Sequence, residues 1–163
     1  MSKTATYALI ESQTLGSAQA TVTFSSIPGT YTDLVVVWSG STSSGNLVKM
    51  EFNGDTGANY SSTLVWGMSG AASGSSSRYS VGWQFVIPDA TQQNTIFHVM
   101  DYSNTTTFKT AIGRANVAST SVGASVILWR NTNAITSASL KTSSDNFTAG
   151  STFRLYGIQA GNA

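Results

Sequence analysis

The sequence predicts an all-β domain, an antiparallel sandwich of two sheets with jelly-roll topology. Three observations predict it. Over residues 79–87, Tyr79, Val81, Trp83, Phe85 and Ile87 take every second position, with Ser80, Gly82, Gln84 and Val86 between them. A period of two places one such set on a single face of a strand. Eleven segments of strand length follow one another, separated by Ser, Thr, Gly and Asn, and even spacing with turn chemistry is the signature of a sandwich or barrel. Charged residues make up only 9 % of the chain, against about a quarter in ordinary soluble domains. The polar surface therefore consists of hydroxyls and amides, which suit extended backbone and turns. No sustained helical period is present.

In chain order, residues 7–11 and 18–24 are the first two strands, the second alternating Ala20, Val22 and Phe24 against Thr21 and Thr23. Residues 25–32 turn the chain around Pro28-Gly29. The unbroken apolar run 34–38 reads as a central strand covered on both faces. Residues 47–53 alternate Val48, Met50 and Phe52 against Lys49, Glu51 and Asn53, and Asn53-Gly54-Asp55 ends them in a turn. Tyr60–Met68 is the next strand. Residues 69–77 contain only Ser, Gly and Ala, a composition expected of a flexible exposed loop. Strand 79–87 stops at Pro88-Asp89, and in 95–102 Ile96, His98 and Met100 face opposite to Phe97 and Val99. Segments 108–115, 125–129, 135–142 and 152–158 complete the series. With few charged gatekeepers, the sheet edges are expected to be twisted, capped by loops or paired with neighbouring copies.

A chain of 163 residues fits one domain, 1–163, and can bury roughly two thirds of its unfolded surface. Residues 1–6 carry a single Lys3 and are expected to form a flexible arm that orders on a partner. Eight basic and seven acidic side chains give a formal charge of +1, far from the footprint of a nucleic-acid binder. The same sparseness leaves little repulsion between copies packed side by side. Cysteine is absent, so disulfides and thiolate metal sites are excluded. No apolar run resembles a secretory core or a bilayer span, so the expectation is a chain used without export and without a membrane. The sequons at Asn59, Asn104 and Asn146 are what a Thr-rich chain produces by chance.

No catalytic site, metal site or cofactor site is assembled in the pattern. The one histidine, His98, lies between apolar neighbours, a setting of core or interface groups rather than of a general base. Glu51 with Asp101 is a chance carboxylate pair of the kind a glycosidase requires across a cleft. Asn53, Asp55 and Asn59 could offer oxygens to calcium, but lack the acidic density of an EF-hand and read better as a turn. Phosphate-loop, nucleophile-elbow and dinucleotide fingerprints are missing. Of the four tryptophans, Trp83 lies on the alternating stripe and Trp38 ends an apolar run, both core positions. Trp66, beside residues 69–77, is the one expected to be exposed. Trp66, Ser69, Ser73 and Ser77 are accordingly the candidate partner or glycan contacts.

Three stretches carry a resemblance: Phe24-Ser25-Ser26-Ile27-Pro28-Gly29-Thr30-Tyr31-Thr32-Asp33-Leu34, then Phe52-Asn53-Gly54-Asp55-Thr56-Gly57-Ala58-Asn59-Tyr60, and Ser151-Thr152-Phe153-Arg154-Leu155-Tyr156-Gly157-Ile158. Together and in this order they resemble small β-rich virion proteins of tailed bacteriophages, which serve as capsid decoration (cement) proteins or as tail-fibre and receptor-binding heads. The resemblance implies a place in a virion, on the capsid exterior with the major capsid protein as partner, and carries over no catalytic or binding residue. A fibre usually needs a shaft or attachment domain in addition, so a single sandwich fits decoration better. A three-fold homo-oligomer on local capsid three-fold positions is the natural closed form. The alternative is a tail-fibre module that presents Trp66 and residues 69–77 to a host surface glycan.

Overall fold

The computed structural model describes residues 6–45, 47–68, 70–80, 83–84, 90–117 and 121–159, with the backbone alone at 79, 80, 83 and 84. Its strands are β1 (Tyr7–Thr14), β2 (Thr21–Phe24), β3 (Asp33–Gly40), β4 (Val48–Phe52), β5 (Tyr60–Met68), β6 (Ala71–Ser80), β7 (Trp83–Gln84), β8 (Gln93–Met100), β9 (Lys109–Val117), β10 (Ser121–Trp129), β11 (Ala138–Thr142) and β12 (Thr152–Ile158). They form an eight-stranded sheet in the order β1-β12-β3-β8-β9-β10-β5-β6 and a four-stranded sheet in the order β2-β11-β4-β7. Every pairing is antiparallel. This order establishes the all-β two-sheet sandwich and not the jelly-roll connectivity.

One core lies between the sheets. From the large sheet come Leu34, Val36, Trp38, Phe97, Val99, Ile127, Trp129, Phe153 and Leu155; from the small sheet, Val22, Phe24, Val48, Met50, Phe52 and Leu140. Each such side chain contributes about 1.5–3 kcal/mol by leaving water. Trp38 sits in an aromatic nest, 5.3 Å edge-on from Phe147 and 6.3 Å stacked on Phe153. Trp129 is stacked on Tyr60 at 6.3 Å and tilted against Phe52 at 5.5 Å. Strand β3 is interior to the large sheet and buries Val35 as well as Leu34 and Val36, but the expectation of cover on both faces is corrected: Val35 and the half-buried Val37 lie on the outer side, sheltered by neighbouring side chains and not by a second layer among the described residues.

Two further departures from the sequence reading have physical causes. Residues 71–77 are not a loop: Ala71–Ser80 is β6, and its pairing with β5 runs from Ser61↔Arg78 to Met68↔Ala71. Small side chains show no apolar period, so a strand held by its backbone ladder at a sheet rim is invisible to pattern. The strand expected over 79–87 is divided accordingly. Positions 79 and 80 close β6, Trp83–Gln84 forms β7 against β4, and 81, 82 and 85–87 lie outside the described residues, as do Ser69 and residues 1–5 of the expected arm.

Two of the three stretches that carry the resemblance are corners of the fold, and the third is strand β12 with the residue before it. In the middle stretch, Asn53 and Gly54 have φ of 51° and 66°, the left-handed pair of a tight β-turn closed by Asp55 N donating to Phe52 O at 2.8 Å, which starts the crossing from the small sheet to the large one. Asn53 Oδ1 then accepts from the amides of Thr136 and Ser137 at 2.8 and 3.1 Å, while its Nδ2 donates to Ala134 O at 2.8 Å. The carboxylate of Asp55 accepts from Trp129 Nε1 at 2.7 Å, Gly57 N at 2.8 Å and Asn59 Nδ2 at 2.9 Å. The Tyr60 hydroxyl accepts from Phe52 N and donates to Asp55 O, each at 3.1 Å. The first and last stretches meet where the Tyr31 ring covers Gly157: a Cβ there would lie 2.2 Å from the ring. Tyr102 fastens the first stretch from below, donating to Pro28 O.

Candidate interaction surface

The outer face of the eight-stranded sheet is built by alternation and can be read row by row from the strand registers. One row runs Thr63, Val126, Ile112, His98, Val35, Tyr156 and Leu9; the next runs Val65, Ala124, Arg114, Ile96, Val37, Arg154 and Ser12. Nine large hydrophobic residues are exposed among the described ones, and seven occupy this face: Tyr7, Leu9, Val65, Met100, Ile112, Val122 and Val126. Ile112, Val122 and Val126 are 55 to 63 % exposed. The outer face of the small sheet is the opposite in character. Its rows are Thr21, Lys141 and Lys49, then Thr23, Ser139 and Glu51, with Glu51 accepting from Lys141 Nζ. One layer of the sandwich faces water in the ordinary way; the other presents β-branched and aromatic side chains.

At seven spacings of about 4.8 Å and a strand length of about 25 Å, the large face covers roughly 850 Å². That is the footprint one partner contributes to a standard protein interface, about 800 Å². It carries Arg114 and Arg154 and, towards the β6 rim, Arg78 and Arg130, while His98 Nε2 and Asp33 Oδ2 meet on it at 2.7 Å. Two shallow depressions open on it. One surrounds Arg114, between Val37, Ile96 and Val122; the other lies near the β6 rim between Ser61, Arg78, Thr110 and Arg130, where Arg130 Nη2 donates to Ser61 Oγ at 2.8 Å.

Trp66 and Ser73 stand directly opposite each other on β5 and β6, on the side that continues the core face beyond the small sheet. Trp66 is half-buried rather than exposed, and Ser73 is exposed. Ser77 lies on the same side, four residues along β6, with its Oγ 3.0 Å from Ser62 Oγ. Three of the four residues singled out in the sequence thus share one face of one hairpin; Ser69 lies outside the described residues.

The chemistry-bearing residues are placed apart. His98 Nε2 meets Asp33 Oδ2, and Asp33 Oδ1 accepts from Asp101 N at 2.8 Å. A histidine oriented by a carboxylate is two thirds of a nucleophilic triad. Among the described residues no hydroxyl completes it, and the flanking positions hold Ile96, Met100, Ile112 and Val35. Glu51 lies on β4 of the small sheet and Asp101 in the turn after β8 of the large one, and no described depression is lined by both. Asn53, Asp55 and Asn59 spend their oxygens and amides on the protein itself, and no cluster of three metal-ligating side chains occurs among the described residues. Burial raises the Asp55 pKa, but the hydrogen bonds from Trp129, Asn59 and Gly57 outweigh it, so the group lies below the usual carboxylate range.

Pattern reasoning missed Lys109, which is fully buried. Its ammonium donates to the carbonyls of Thr107 at 2.9 Å and Thr132 at 3.1 Å. Desolvation lowers its pKa, partly offset by the nearby Asp101 charge. The alternation of β9, with Lys109, Ala111, Gly113 and Ala115 on one side, carried the signal: a lysine in phase with inward residues.

Comparison with protein-family models and with curated proteins finds no match to this chain.

Proposed function

We propose that this chain is a virion structural protein that works without catalysis, a capsid decoration protein bound to the outer shell through the exposed face of its eight-stranded sheet. The observation that carries the reading is the concentration of seven exposed large hydrophobic residues on that single face. Exposed apolar side chains gathered on one face mark an interaction site, and Ile112, Val122 and Val126, on the adjacent strands β9 and β10, are its densest part. Arg114 and Arg154 suit a partner surface bearing carboxylates, with the major capsid protein as that partner. The resemblance of the three stretches to phage virion proteins supports the setting. On a capsid the same contact recurs at many sites, so each can be weak while the shell as a whole is held.

A second reading, a tail-fibre or receptor-binding module, is favoured by one observation: Trp66 beside Ser73 and Ser77 on the β5–β6 hairpin. An aromatic face next to hydroxyls is a stacking site for a sugar ring. Copy number in purified virions separates the two. A number proportional to the major capsid protein supports decoration, a number matching the tail symmetry supports the fibre, and absence from the particle refutes both.

A further inference from the structure

We propose that two copies of this chain join edge to edge through β6, about a two-fold axis. The two rims of the eight-stranded sheet are built differently. At β1 the pairing with β12 shifts between Leu9 and Glu11, so Ile10 is an extra residue that bulges the strand and packs against the core. Glu11 adds a charge to that rim. Gln13 Nε2 donates to Thr23 O at 2.9 Å and ties β1 to β2 of the other sheet. A bulge, a charge and a cross-tie are the devices by which natural edge strands avoid pairing.

On β6 the register shift falls at position 79 and the charge at Arg78, so residues 71–77 carry neither a bulge nor a charge. Its register with β5 is unbroken from Arg78 to Ala71, its side chains there are Ala, Ser and Gly, and 71–76 are exposed. Alternate residues of an antiparallel strand turn both backbone groups away from a given neighbour, so about five of its ten residues direct N–H and C=O outward.

The occupant is a second copy because of what β6 lacks. An extended peptide of another protein is selected by pockets for its alternate side chains, and a row of Ala, Ser and Gly forms none. Identical strands need no pockets. A two-fold axis at Ser75 overlaps residues 72–78, stops short of the register shift at position 79, and sets Arg78 against Ala72 of the partner subunit, so like charges do not meet. The joined sheets carry one continuous outer face across both copies. The inference stands apart from the virion reading, and its closed unit is a two-fold pair in place of the three-fold cluster expected from capsid symmetry.

Sedimentation velocity on the purified full chain, across a concentration series, tests it with Ser75→Lys and Ser75→Glu. The unaltered protein is expected at twice 17.1 kDa. Each variant sets like charges directly opposite, and should weaken the dimer up to about fivefold. An equal mixture of the two, pairing Lys with Glu, should restore it. Ser12→Lys on β1 should leave the dimer unchanged, and circular dichroism should show all variants folded, since Ser75 and Ser12 are exposed. A monomeric or trimeric wild type, or variants that alone dimerise as tightly as the wild type, would overturn the proposal, as would a mixture no more associated than its components.

Discussion

Replacing Asp55 by alanine removes the acceptor that holds the corner between β4 and β5 to β10. The carboxylate takes three donors, of which Gly57 N and Asn59 Nδ2 can turn to water, while Trp129 is fully buried and its Nε1 cannot. Stranding a buried donor costs about 1–3 kcal/mol, and hydrogen bonds to a charged group contribute about 1.5–3 kcal/mol. Asp55→Ala should therefore destabilise the fold by about 2–3 kcal/mol, lowering Tm by roughly 4–12 °C in a domain of this size. Chemical denaturation should show a lower midpoint at unchanged slope. In a Trp129→Phe background, where the donor is already gone, the same substitution should cost much less, and the difference is the coupling energy. The pH dependence gives an independent readout. Because the folded-state pKa lies below its unfolded value of about 3.9, Asp55 contributes stability that is present above that value. This contribution is lost as pH falls through the folded pKa, so the wild type should lose stability below about pH 3.9 more steeply than Asp55→Ala. A variant within about 0.5 kcal/mol of wild type, a level typical of unimportant surface positions, would refute the reasoning, as would an unchanged acid slope.

Gly157→Ala should destabilise by about 1–3 kcal/mol through overpacking, since its Cβ would fall 2.2 Å from the Tyr31 ring; a thermal melt checks this, and Tyr31→Ala in the same chain should remove most of the added cost. Ile112→Asp with Val126→Asp sets two carboxylates directly opposite each other, at a cost of about 0.2–1 kcal/mol or up to about 4 °C in Tm, and, since both positions are exposed, should leave the fold intact by circular dichroism yet abolish co-sedimentation with stripped capsids. Lys109→Ala should be strongly destabilising in denaturant titrations, because it opens a cavity and strands the carbonyls of Thr107 and Thr132. Trp66→Ala should leave capsid binding intact if decoration is the function; loss of host adsorption in its place would favour the receptor-binding reading.

Where side chains alternate in size and polarity, the fold was legible from sequence. Tyr60–Met68 and Thr152–Ile158 begin and end where the pattern puts them. Boundaries failed where side chains take over backbone pairing. The strand expected from Ile135 starts at Ala138, because Asn53 Oδ1 takes the amides of Thr136 and Ser137 and Tyr102 O takes that of Ile135. The strand expected from residue 18 starts at Thr21, after the single bridge of Gln19 to Phe147. β6 was read as a loop because Ala, Ser and Gly show no period, although its ladder with β5 spans the whole hairpin. The interaction surface was less legible still. Ile112, Val122 and Val126 look like core residues in a sequence, and only the strand registers, which set them on the side opposite Ala111, Ile127 and Trp129, show that they face away from the core.

Quantitative mass spectrometry of purified virions is the most direct measurement. The account predicts this chain in a fixed ratio to the major capsid protein, falling together with capsid binding when Ile112 and Val126 are replaced by Asp. Its absence from the particle, or full retention by that double variant, would contradict the claim that the exposed sheet face holds the protein on the shell.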